Sequence, residues 1–89
     1  MKHYVLQARN PEAPDKKIWY EWPKKYNTLM EADQDFRAVL IEPLSMVGRV
    51  RNFFKAWDLK EIEVRYVSKV KEGVVMDVHD HKVITLKGN

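Results

Sequence analysis

Residues 61–70, Glu-Ile-Glu-Val-Arg-Tyr-Val-Ser-Lys-Val, constrain the fold more than any other stretch of this chain. Ile62, Val64, Tyr66 and Val70 alternate with Glu61, Glu63, Arg65 and Lys69. A period of two marks a strand, because successive side chains point to opposite faces. One face is apolar and the other charged, which predicts an antiparallel sheet with one wet side. At 89 residues the chain is one domain, residues 1–89, with a modest core.

Other segments supply partners for this strand. Residues 3–9 alternate in the same way, with Tyr4, Leu6 and Ala8 opposite His3, Val5, Gln7 and Arg9. Residues 10–16 form a loop in which Pro11 and Pro14 exclude a regular ladder. Residues 17–22, Lys-Ile-Trp-Tyr-Glu-Trp, read as a second strand that Pro23 stops. Together they predict a hairpin with a long, stiff loop.

A helix follows. Thr28 and Glu31 have the spacing of a capping box, and Leu29, Ala32, Phe36, Val39 and Leu40 form one apolar stripe. Glu31, Asp33 and Asp35 put negative charge where the helix dipole favours it, and Asp33 is spaced to pair with Arg37. Pro43 ends this helix at Glu42. Leu44, Val47, Val50, Phe54 and Trp57 fit a second amphipathic helix over residues 44–57, with Arg49, Arg51, Asn52 and Lys55 towards solvent. The rival reading there is a loop and a short helical turn, since Gly48 weakens the helix by about 1 kcal/mol relative to alanine. Glu72-Gly73 turns the chain, and residues 74–78 and 83–86 read as two short strands around His79-Asp80-His81-Lys82. The predicted order is β-β-α-(α)-β-β-β, class α+β, a small antiparallel sheet with one or two helices packed on one face.

Composition narrows the function classes. The chain has no cysteine, so disulfides, thiolate zinc sites and cysteine nucleophiles are excluded. That suits a reducing cytoplasm. The first residues lack the apolar run of a signal peptide, and nothing approaches the ~20 apolar residues of a membrane span. A cytoplasmic location with no membrane partner is the expectation. Three Trp, four Tyr and three Phe are many for a chain that never packs.

The net charge of +3 implies no partner by itself. Its distribution says more: residues 1–26 and 46–71 are basic, and residues 27–45, between them, are acidic.

Few residues suggest chemistry. His79 and His81, two apart in a strand, point the same way and so could share a metal, with His3 or Asp77 as a third ligand. The same residues also read as a polar turn, and no metal is assigned. The only serines are Ser45 and Ser68, and neither sits in a nucleophile elbow. Gly48, Gly73 and Gly88 are too scattered to cradle phosphate. The chain reads as a non-enzyme without a cofactor.

Binding surfaces are better represented. Lys16, Lys17, Lys24 and Lys25 flank Trp19, Tyr20, Trp22 and Tyr26. Lysines attract phosphate and aromatic rings stack on unpaired bases. The same alternation puts Ile18, Tyr20 and Trp22 in the core, and leaves Trp19 on the opposite face with Glu21. An aromatic there needs a cover: the second helix, a partner or a base. Arg49, Arg51 and Lys55 offer a second basic surface, suited to phosphate or to an acidic protein patch.

The run Trp19-Tyr20-Glu21-Trp22, the helix opening Tyr26-Asn27-Thr28-Leu29-Met30-Glu31-Ala32 and the strand Glu61-Ile62-Glu63-Val64-Arg65-Tyr66-Val67 form a recognisable layout. Over residues 3–70 it resembles the small accessory proteins of bacteriophages and other mobile elements. The resemblance implies a protein without chemistry of its own, which binds a host protein complex and inhibits or redirects it. Anti-CRISPR and other anti-defence proteins are the familiar examples.

Two expectations result. The first is a non-enzymatic inhibitor of a host complex, with one that handles nucleic acid among the candidates, and with Trp19, Arg49, Arg51 and Lys55 in contact, since aromatics and arginine dominate interface energy. The alternative is a nucleic-acid-binding module whose contacts are Lys16, Lys17, Lys24 and Lys25. One continuous basic face with Trp19 exposed favours nucleic acid; separated patches favour a protein. A second copy of the chain is a further candidate partner, because residues 74–78 are an apolar strand able to pair at a sheet edge.

Overall fold

A computed structural model describes residues 2–15, 17–39, 45–70 and 74–86. The elements are β1 (His3–Arg9), β2 (Tyr20–Glu21), α1 (Leu29–Val39), α2 (Met46–Phe54), β3 (Glu61–Lys69) and β4 (Val75–Thr85). The strands form one antiparallel sheet in the order β2-β1-β3-β4. Both helices lie on one face, and the class is α+β. Even-numbered residues of β1 and β3 point to that side: Leu6, Ala8, Ile62, Val64 and Tyr66 pack against Ala32, Phe36, Met46, Val47 and Val50.

The alternating segments form β1 and β3 as expected. The second strand is shorter than its sequence suggests. The Lys17 N–H donates to the Asp15 side chain at 2.9 Å and the Ile18 N–H to the Asp15 carbonyl at 3.4 Å. This Asx turn holds the chain off the ladder until Tyr20. After Pro23 the chain rejoins β1, where Tyr4 and Tyr26 exchange two backbone hydrogen bonds of 2.8 Å.

Helix α1 starts at the expected cap. The Thr28 hydroxyl accepts from the Glu31 N–H at 3.1 Å. Ala32, Phe36 and Val39 are buried, and Leu29 packs at the edge of the core. Asp33 pairs with Arg37 at 3.5 Å. Leu40 and Pro43 lie outside the described residues.

Helix α2 is shorter than residues 44–57. Ser45 caps its start, accepting from the Gly48 N–H at 3.4 Å. Its end is set by Lys55, which adopts left-handed geometry at φ 56°. The N–H of Lys55 reaches the Asn52 carbonyl and that of Ala56 the Arg51 carbonyl, a Schellman closure. Chain direction changes there, so Trp57 leaves the predicted stripe and stands 64% exposed.

The two predicted C-terminal strands are one. β4 runs through His79-Asp80-His81-Lys82 without a turn. Val64 pairs with Lys82 but Tyr66 with His79, so β4 holds one extra residue between these pairs, and a second register shift follows between Ser68–Asp77 and Lys69–Val75. Asp80, at φ 46°, absorbs the first extra residue as a bulge. Asp tolerates this conformation better than most residues.

The face opposite the helices, expected to be wet, is roofed by its own side chains. Lys69 is only 6% and Glu63 only 7% exposed, and Val5 and Val67 are sealed beneath.

Candidate functional site

Two surfaces gather functional side chains, one on each side of the sheet. The open face carries a network. β1 and β3 pair Arg9 with Glu63 and Gln7 with Arg65, so these four project together. Arg9 grips Glu63 with two hydrogen bonds, Nε to Oε1 at 2.6 Å and Nη2 to Oε2 at 3.1 Å. His81 also contacts the Glu63 carboxylate. Hydrogen bonding from Arg9, more than burial can offset, holds the Glu63 carboxyl below the usual carboxylate range, and His81 adds to this. Arg65 donates from Nε to the side-chain Oε1 of Gln7 at 2.7 Å, the Gln7 side-chain Nε2 donates to Glu21 at 3.0 Å, and Lys69 reaches Glu21 at 2.6 Å.

Trp19 closes this network. Its ring lies 4.3 Å from the Arg9 guanidinium carbon and 4.1 Å from that of Arg65, with the His81 ring edge-on at 6.0 Å. Each cation–π contact stabilises by about 0.5–1 kcal/mol at an exposed site and more when desolvated. The cover for this half-buried aromatic is therefore internal, and is none of the three that the sequence suggested. Burial, and next the like charge of Arg9, push the Arg65 guanidinium below its ordinary value.

The second surface is on the helix side, where α2 meets β2. Arg49 lies 4.8 Å from the Trp22 ring and points Nη1 at the Tyr20 hydroxyl, 3.5 Å away. Phe53, one helical turn on, packs at 5.7 Å from the Tyr20 ring and 4.8 Å from that of Phe54, yet remains 49% exposed. No acidic residue occurs in α2, and Lys55 is exposed at its end.

The four expected partner contacts are thus not brought together. Trp19 sits on the open face, and Arg49 and Lys55 on the helix side. Arg51 is turned inward: its Nη2 donates to the Leu59 carbonyl at 2.9 Å, and its Nε is buried without an acceptor. It ties the end of α2 to the approach to β3. Among the lysines, Lys24 pairs with Asp35 at 3.3 Å and lies 5.4 Å from the Tyr26 ring. Lys17 and Lys25 are exposed, and Lys16 lies outside the described residues. Arg9 of the first basic segment and Arg65 and Lys69 of the second share the open face, whereas Arg49 and Lys55 lie on the helix side.

Asp33 and Asp35 of α1 act as clamps, while Glu31 is exposed beside its capping partner Thr28. The buried Tyr66 hydroxyl donates to Asp33 at 2.8 Å, and Tyr26 donates to Asp35. Burial pushes both tyrosine hydroxyls up, and the facing carboxylates add to it. The bond from Tyr66 holds the Asp33 carboxyl down, and Lys82, 3.7 Å away, does so too.

His79 and His81 do not share a site. The extra residue at Asp80 sends them to opposite faces. His79 meets Tyr4 and the Ser68 hydroxyl on the helix side, at 5.8 Å between rings and 3.3 Å from the oxygen. His81 meets Glu63 and Trp19 on the open side. Among the described residues no cluster of three metal-ligating side chains occurs. Among them, too, no helix is long and apolar enough to cross a membrane.

Comparison with protein-family models, curated proteins and solved structures finds no match to this chain. Sequence reasoning missed Phe53 and the Arg9–Glu63–Arg65 cluster. Phe53 was legible as the residue four after Arg49 on the outer helical face. The cluster depends on cross-strand register, which no local pattern carries.

Proposed function

We propose that this chain is a non-enzymatic binding protein whose target is another protein, engaged by the outer face of α2. The observation that carries this reading is the Arg49–Phe53 surface laid over Tyr20 and Trp22. Aromatic rings around an arginine are the usual composition of an interface centre. A ridge without acidic residues fits a partner that surrounds an apolar contact with carboxylates. The division of cations between the two sides of the sheet, with Arg9 and Lys69 paired to Glu63 and Glu21, supports a protein target over a nucleic-acid strand, which needs a continuous track of cations. On the resemblance to phage accessory proteins, the target is a host complex and the effect inhibition or redirection. Arg49, Phe53 and Lys55 are the contacts; Trp19 and Arg51 have internal duties.

The test is capture of a partner from bacterial lysate by the tagged protein, with and without nuclease, followed by affinity measurement on Phe53→Ala and Arg49→Ala. A stoichiometric protein that survives nuclease and binds Phe53→Ala roughly thirtyfold more weakly, about 2 kcal/mol, supports the reading. Nucleic acid in the eluate with all partners lost on digestion, or affinity unchanged in both variants, overturns it.

A further inference from the structure

We propose that the Arg65–Trp19 corner of the open sheet face binds a single carboxylate. The site is independent of the α2 surface and lies across the sheet from it. The ion pairing of this face leaves one cation over. Glu63 is taken by Arg9 and His81, and Glu21 by Lys69 and Gln7. Among the described residues no carboxylate lies within ion-pair distance of Arg65. Its Nε is satisfied by Gln7. Neither Nη has an acceptor among the described residues, and neither is sealed from solvent.

This guanidinium is also held in place. Gln7 fixes one edge and Trp19 covers its face at 4.1 Å. The long side chain has therefore already lost most of the freedom that binding would remove. What it presents is the Nη1–Nη2 edge, a planar pair of donors that matches the two oxygens of a carboxylate. Partial burial strengthens such a contact relative to one in open water. Glu63 and Glu21 stand nearby, so a doubly charged phosphate meets more repulsion than a singly charged carboxylate does. The carboxylate comes either from a free small acid or from an acidic side chain of a peptide.

The experiment is a two-dimensional NMR titration that follows the Arg65 Nε–H and Trp19 indole N–H signals. Acetate, a blocked glutamate peptide, inorganic phosphate and chloride are compared at matched ionic strength. Saturable shifts of both signals with acetate or the peptide, and only a shallow drift with chloride, are expected. Stronger saturation by acetate indicates a free acid, and stronger saturation by the peptide a protein-borne carboxylate. Arg65→Lys, which keeps the charge but loses the fork, should abolish the Trp19 response. Equal drifts in acetate, the peptide and chloride overturn the proposal. Phosphate saturating at lower concentration than acetate or the peptide, or an undiminished Trp19 response in Arg65→Lys, does so as well. The wild-type comparison decides the matter even if the variant folds poorly.

Discussion

Replacing Glu63 by glutamine tests the open-face network directly. The side chain keeps its shape, but Arg9 loses a carboxylate gripped at 2.6 and 3.1 Å, and His81 loses the same partner. Removing one member of a fully buried pair costs about 3–5 kcal/mol, because the other charge is stranded. The side chains here retain 16% and 9% exposure, so water compensates in part. A cost of about 2 kcal/mol is expected, which lowers the melting temperature of a domain this size by roughly 8–16 °C. Urea unfolding gives the free energy, and a cycle with Arg9→Met separates the pair from each residue alone. The pH dependence has a definite sign. Glu63 is depressed in the folded state, so its contribution is complete above the unfolded value of 4.5 and fades as pH falls through the folded one. Wild type should lose its advantage over Glu63→Gln across that acid range. A cost below about 0.5 kcal/mol, the scale of an exposed pair, would refute the reasoning. So would an equal cost in the Arg9→Met background.

Two further outcomes are expected. Tyr66→Phe leaves the buried ring in place and removes only its bond to Asp33, at a cost of about 1.5 kcal/mol for a hydrogen bond to a charged group. Because Asp33 is depressed when folded, the gap from wild type in thermal unfolding should close as pH falls below 3.8. Lys55→Gly relieves a side chain held at φ 56° and should raise the melting temperature, by about 0.5 kcal/mol of stability after the added chain entropy of glycine. Calorimetry checks it, and a fall would show that the Lys55 side chain contributes more than its backbone costs.

Local physics was legible in the chain. Alternation in residues 3–9 and 61–69 is what a pleated backbone with one apolar face requires, and the fold has strands at both. Thr28 and Glu31 marked the start of α1, because an orphan amide needs an acceptor at that spacing. The end of α2 was not legible. A left-handed Lys55 replaces the glycine that normally announces such a stop, so Trp57 was read as continuing a stripe from which the backbone had already turned. The bulge at Asp80 was hidden for a similar reason: an extra residue shows only against the strand it faces. A period-two reading carried across it sets His79 and His81 side by side.

The sequence by itself determined the class of fold, the core face of the sheet and the first turn of α1. These depend on neighbours within a few residues, where side-chain period and capping geometry act. The tertiary structure alone decided what Trp19 and the arginines do. Arg9 meets Glu63 across 54 positions and Arg65 meets Gln7 across 58. Contacts so distant exist only once strand register is chosen. That choice comes from burying one whole face at once, and no single segment encodes it.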